Sequence, residues 1–307
     1  MKSMKLSAFA SLALVSALLS APSALAQAGD PLLRDPDKKT AKFDPSKVTY
    51  LTAWPKPAKK DQLVTDIDRL VKASIPEMAE GGHQGIVAEG TAAVPFLLER
   101  YGKEKDEDVL KRVRDVLIEI TKPEQARLLA QEFAHRDLLH RTFALWRCSA
   151  WPDAQIKPLA EVAWAKVVKQ GEKADADERY AAALCATASG SMAAFEAVFE
   201  IAQKSWPKKG AELRVALEAV RGADATKLLL ARLGGERKPK IAALKMLAGC
   251  GDKSALGTLR PLLDDTDNEI RVVTINAFRG IVDGDAPLDQ LSAFESIEMA
   301  KKWKERN

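Results

Sequence analysis

Leu262-Leu263-Asp264-Asp265-Thr266-Asp267-Asn268-Glu269-Ile270-Arg271-Val272-Val273-Thr274-Ile275-Asn276-Ala277-Phe278 is the stretch whose reading decides the fold. A paired leucine closes one apolar segment and an acidic turn follows. Asp267 then stands where a helix N-cap accepts unpaired backbone N–H groups. Arg271, four residues on, lies on the same helix face, within reach of that acid. Thr274 and Ile275 continue an apolar face at helical spacing. The segment predicts the end of one helix, a short turn and a second helix.

The acid–x–x–x–base step recurs along the chain as Asp108/Arg112, Asp137/Arg141, Asp175/Arg179, Glu236/Lys240 and Asp267/Arg271, with 29, 38, 61 and 31 residues from one base to the next. The gap of 61 holds one more unit, around Arg214, with Gly210 where the acid belongs. Recurrence at this period predicts a stack of helical hairpins rather than a single core. The expected helix pairs are 124–134 with 138–148, 158–169 with 178–187, 192–204 with 211–221, 226–233 with 239–249, and 256–263 with 269–282. Upstream, Leu63, Ile67, Leu70 and Val71 share a face, but Gly81, Gly82 and Gly85 predict a loose or kinked second helix. The hairpin after Gly90 has Pro95 in its first turn, where a missing N–H costs nothing. Its second helix carries Val113, Val116, Leu117 and Ile120 at helical spacing. Small residues after each base (Ala144, Ala182, Ala243) predict close approach of successive second helices, with each base able to reach the acid of a neighbouring unit.

On these residues the chain resembles the HEAT-repeat family over roughly residues 61–283, most clearly in the last two units. The resemblance implies an all-α fold, a curved α-solenoid of about six or seven stacked helical hairpins, with second helices lining a concave face. It also implies protein binding or scaffolding and no catalytic residues.

The segments outside the repeats read differently. Lys2 and Lys5, the apolar run Leu6–Leu19 and Ala24-Leu25-Ala26 form a bacterial-type cleavable leader over residues 1–26, which predicts a mature start at Gln27 in the periplasm or outside the cell. Residues 27–60, with Pro31, Pro36, Pro45, Pro55 and Pro57, predict a flexible Pro/Lys-rich lead-in. In it, Tyr50, Leu51 and Trp54 are candidates to dock on the first hairpin and cover its open end. Residues 61–286 form the repeat domain. Residues 287–307 predict a capping helix from Leu288 to about Trp303, ending in Lys301-Lys302-Trp303-Lys304-Glu305-Arg306. The 307 residues carry 47 Lys+Arg against 43 Asp+Glu. That near-balance argues against nucleic acid as a partner. No later run is long and apolar enough for a membrane span.

No metal, cofactor or catalytic residue is assigned. The three histidines are His83, His135 and His140. His135 and His140, five apart across a turn, do not share a ligand face, and no Cys-x-x-Cys, His-Glu-x-x-His or calcium-loop spacing occurs. Gly81-Gly82-His83-Gln84-Gly85 reads either as a ligand-side turn or as a broken terminal helix. Arg147, Trp151 and Arg179 are candidates for a binding patch, since Trp and Arg anchor interfaces. The alternative packs Trp151 in the core between repeats. Cys148 and Cys185 fall on neighbouring second helices and either form a disulfide or sit as two buried small hydrophobes. Cys250 is free in both cases. The functional expectation is an exported, non-catalytic protein-binding or scaffold module with an unidentified protein partner. The rivals are a peripheral envelope component binding polysaccharide or a membrane surface, and a lyase- or glycosylase-like enzyme on helical repeats.

Overall fold

The structure, a computed structural model, describes residues 43–288 and 290–306. The leader expected over 1–26 and the lead-in up to residue 42 lie outside the described residues. The described chain is all-helical, with no strand among the described residues. The helices are α1 (Lys60–Val71), α2 (Pro76–Glu89), α3 (Val94–Lys103), α4 (Glu107–Ile120), α5 (Ala126–Gln131), α6 (Leu138–Ser149), α7 (Lys157–Gln170) and α8 (Ala176–Ala188). They continue as α9 (Phe195–Glu218), α10 (Ala223–Leu230), α11 (Arg237–Cys250), α12 (Leu256–Leu259), α13 (Asn268–Phe278) and α14 (Ala293–Arg306). Helix α9 is two helices merged across a kink at Ser205 (φ −137°, ψ 15°), two residues before Pro207. No described helix is long and apolar enough to cross a membrane.

Neighbours in sequence pack as pairs: α1 on α2, α3 on α4, α5 on α6, α7 on α8, α10 on α11 and α12 on α13. From α6 onward helices also pack forward, α6 on α8, α8 on α9, α9 on α11, α11 on α13 and α13 on α14, whereas the α3–α4 pair meets α6 through α3. Alanine explains the closeness. Ala181, Ala182, Ala183, Cys185, Ala186 and Ala188 of α8 are all buried. A helix that is small and apolar on nearly every side has neighbours on every side.

The acids and bases of the recurring step do separate jobs. Asp175 accepts from the backbone N–H groups of Asp177 and Glu178, and Asp267 from those of Glu269 and Ile270. Each such cap contributes about 1 kcal/mol. In the first unit the cap is Asp106, not Asp108: it accepts from Asp108 N and Val109 N at 3.0 Å. Asp137 and Glu236 precede their helices without a side-chain cap bond. Three of the bases turn back to carbonyls of the turn before their own helix. Arg141 donates to Arg136 O at 2.7 Å, Arg271 to Asp265 O at 2.7 Å, and Arg179 to Gly171 O. Contact between a base and an acid of the next unit takes partners other than those the step pairs. Arg141 pairs with Glu178 rather than Asp175, and Asp267 is reached by Arg237 rather than Lys240.

Three further expectations change. Helix α2 runs unbroken through its glycines, because Gly82 and Gly85 let α1 approach. A Cβ on Gly82 would lie 2.5 Å from Asp66 O and 2.6 Å from Leu70 N. Residues 43–58 are packed rather than loose. Leu51 N donates to Glu124 O at 2.9 Å, and the Arg127 guanidinium sits 3.6 Å over the Tyr50 ring while donating to Asp153. Tyr50 and Leu51 therefore dock on the third hairpin, while Ala58 N donates to Glu89 Oε2 of α2 at 3.0 Å. The last helix starts at Ala293, five residues later than expected, where Ser292 and Glu295 form a capping box. Ser292 N donates to Glu295 Oε2 at 2.8 Å and Glu295 N to Ser292 Oγ at 3.2 Å. Trp303 then packs on Phe278, with ring centroids 5.7 Å apart.

Candidate functional site

Helices α1, α2 and α4, the first long helices of the described chain, leave a cleft of about 550 Å³ between them. Its floor is apolar because Leu70 and Val116 belong to the core faces of α1 and α4. Ala73, Ile75, Pro76 and Ala79 continue that surface to the rim, where Ile75 is 56% exposed. The opposite character comes from the polar stripe of α4, Arg112, Asp115 and Glu119, which meets Glu80 and His83 of α2. Such a stripe at helical spacing is the ordinary solvent face of an amphipathic helix. It becomes a wall here because α2 stands beside it.

His83 joins the two sides. Its Nε2 lies 2.7 Å from Glu119 Oε2, and its Nδ1 lies 3.8 Å from Glu80 Oε2. Arg112 lines the cleft as well and donates to Val71 O at 3.4 Å at the end of α1, so one arginine stands against the carboxylates. The cleft offers three carboxylates, Glu80, Asp115 and Glu119, beside an aliphatic floor. This combination suits a ligand with a cationic group next to an apolar one. The wall was not legible in the sequence: Glu119 lies 36 residues from His83.

The residues expected to bind sit elsewhere. Arg147 and Trp151 are 1% and 5% exposed and form no surface patch. Arg147 donates to Thr121 Oγ1 at 2.7 Å, Ile118 O at 3.0 Å and Thr121 O at 2.9 Å, and lies over the Trp151 ring at 4.4 Å. Its charge satisfies carbonyls that the C-terminus of α4 leaves without intrahelical partners. Arg221 does the same for Gly249 O, Gly251 O and Gly280 O at the ends of α11 and α13. Arg179 is held by its own turn, as described above.

Of the two readings of Cys148 and Cys185, the structure has the unbridged one. Cys148, Cys185 and Cys250 are free and buried. Cys148 Sγ is directed at Ala126 O, 3.3 Å away in its own hairpin. Burial raises the Cys148 and Cys185 thiols and pushes Cys250 up to about 12, so none is a thiolate near neutrality.

The geometric reason for setting His135 and His140 aside as ligands also fails. The turn before α6 folds so that their rings stack, with centroids 3.8 Å apart and planes 19° apart. Glu99 of α3 completes a group whose ligand atoms all lie within 4.8 Å of one another. Gly102 permits this approach, since a Cβ there would sit 3.1 Å from Asp137 Cβ and 3.2 Å from His140 Cβ. No protein-family model matches the chain, and neither a curated protein nor a solved structure is found to be similar to it.

Proposed function

We propose that this chain is an exported, non-catalytic protein-binding module. In it the helical hairpins stack as a HEAT-like solenoid, and the cleft between α1, α2 and α4 receives a segment of a partner protein. The forward packing of successive second helices supports the solenoid, because in such an array each unit buries its face only on its neighbours. The leader-like composition of residues 1–26 supports export. The observation that carries the binding role is the pairing of an aliphatic floor with Glu80, Asp115 and Glu119 in one concave site. Pockets of this volume with a few convergent polar groups are where proteins hold ligands. The partner segment is expected to place a lysine or arginine beside an aliphatic side chain.

A photo-crosslinking residue at Ala79, on the cleft, and a separate one at Val162, which is 68% exposed on α7, discriminate this role. In native extracts at low and moderate salt, the Ala79 probe should capture one or two proteins that the Val162 probe does not. Capture of nothing at Ala79, or of the same set at both positions, would reject the cleft as the binding face. Loss of every Ala79 adduct as salt rises would instead favour a diffuse charge contact with an envelope surface.

A further inference from the structure

We propose that Glu99, His135 and His140 form a binding site for a divalent transition-metal ion of the zinc class, separate from the cleft and independent of its role. Two imidazoles and a carboxylate are the donor set of three-ligand zinc sites, leaving a fourth position for solvent. Two nitrogen donors favour zinc over magnesium or calcium, which take oxygen ligands.

Buried polar atoms around the group point to a missing ligand. His140 is 4% exposed, and its Nδ1 has no hydrogen-bond partner. Buried polar groups are rarely left so, because the lost hydration costs on the order of 1–3 kcal/mol. His140 Nε2 lies 3.1 Å from Glu132 Oε2. With the proton on that nitrogen facing Glu132, Nδ1 presents its lone pair. Carboxylate, imidazole and metal in series is the usual way a protein orients a ligating histidine. The second histidine has a matching partner. His135 Nδ1 lies 3.9 Å from Asp137 Oδ2, which is buried and unpartnered. In the metal-free arrangement Nδ1 accepts from Asp137 N at 3.2 Å. Binding through Nε2 moves the ring proton to Nδ1, where Asp137 Oδ2 can accept it.

Two local adjustments accompany binding. An imidazole lone pair lies in the plane of its ring, so stacked rings direct theirs side by side. One ion meets both when His135 swings out of the stack; its side chain is 21% exposed, against 5% for His140. Glu99 must also release Lys103, its partner four residues on in a half-exposed pair. Such surface pairs are worth only about 0–1 kcal/mol. Three carboxylates, Glu99, Glu132 and Asp137, then surround the ion, with Lys103 and Arg136 beside them.

The test is titration of zinc chloride into the untagged full chain after chelator treatment, followed by calorimetry and thermal unfolding. The wild-type chain should bind one zinc ion and unfold at a higher temperature with zinc present, since a ligand held only by the folded state stabilises it. Cobalt substituted for zinc should give the visible bands of a low-coordinate site. His135→Ala and Glu99→Gln alter partly exposed side chains, so both should fold, as circular dichroism would verify. Each should weaken zinc binding by about 10–100-fold or more and abolish the thermal shift. Magnesium should not compete. Failure of the wild-type chain to bind zinc would overturn the site, as would zinc binding that neither substitution changes.

Discussion

Glu178→Ala is expected to destabilise the folded chain by about 3–5 kcal/mol, the cost of breaking a buried ion pair from one side. The pair is Arg141 Nε to Glu178 Oε1 at 2.5 Å and Nη2 to Oε2 at 3.1 Å, with side-chain exposures of 12% and 3%. It ties α6 to α8. Arg141 keeps the carbonyls of His135 and Arg136 when Glu178 is removed, which places this variant at the lower end of the range. Arg141→Ala leaves a buried carboxylate behind and belongs at the upper end. The contrast is Arg232→Ala, which breaks an exposed pair with Glu196 (44% and 61% exposed) and should cost about 0–1 kcal/mol. Urea unfolding of the three variants checks this ordering. A loss at Glu178 no larger than that at Arg232 would mean that α6 and α8 are not locked in this way.

Gly81→Ala and Gly82→Ala should change stability in opposite directions. Both residues lie inside α2, where alanine is favoured over glycine by about 1 kcal/mol. At Gly81 nothing lies within 4 Å of an added Cβ, so that gain is realised. At Gly82 the methyl group meets backbone atoms of α1, Asp66 O and Leu70 N, and backbone cannot rotate aside. Overpacking of this kind costs about 1–3 kcal/mol and outweighs the propensity term. Because Leu70 also floors the cleft, Gly82→Ala should weaken ligand binding, and Gly81→Ala should leave it unchanged. Amide hydrogen exchange across α1 and α2 reads the local effect. Equal stabilisation by both substitutions would mean that the terminal hairpin is loose and the cleft is not preformed.

This pair also shows where the sequence was legible and where it was not. Periodicity placed the helices of α4, α6, α8, α11 and α13 because each keeps a one-faced or all-round apolar pattern. Propensity misjudged α2: glycine weakens an isolated helix, but here it is the contact surface for α1. Asp175 and Asp267 were legible as caps, although Asp106 and Asp108 are separated only by geometry. The partners of the bases were not legible. Arg141 meets Glu178 and Arg147 meets Thr121 through the way turns fold, over 37 and 26 residues. The tryptophan and arginine proposed as anchors are buried because α4 ends in carbonyls that need a donor. His83 was noticed in its glycine run, but Glu119 and Asp115 looked like any solvent-facing helix charges. His135 and His140, five apart across a turn, gave no sign in the sequence that this turn brings their rings together.

Selection of displayed peptides on the full chain tests the binding account most directly, with counter-selection on the Glu80→Lys, Glu119→Lys double variant. Both side chains are about half exposed and form no part of the core, so the variant should fold as the parent does. The account predicts enriched peptides with lysine or arginine within a residue or two of leucine, isoleucine or valine. Those peptides should lose binding to the double variant and bind the parent more weakly as salt rises. Absence of any enriched pattern, or enriched peptides that bind parent and variant equally, would contradict it.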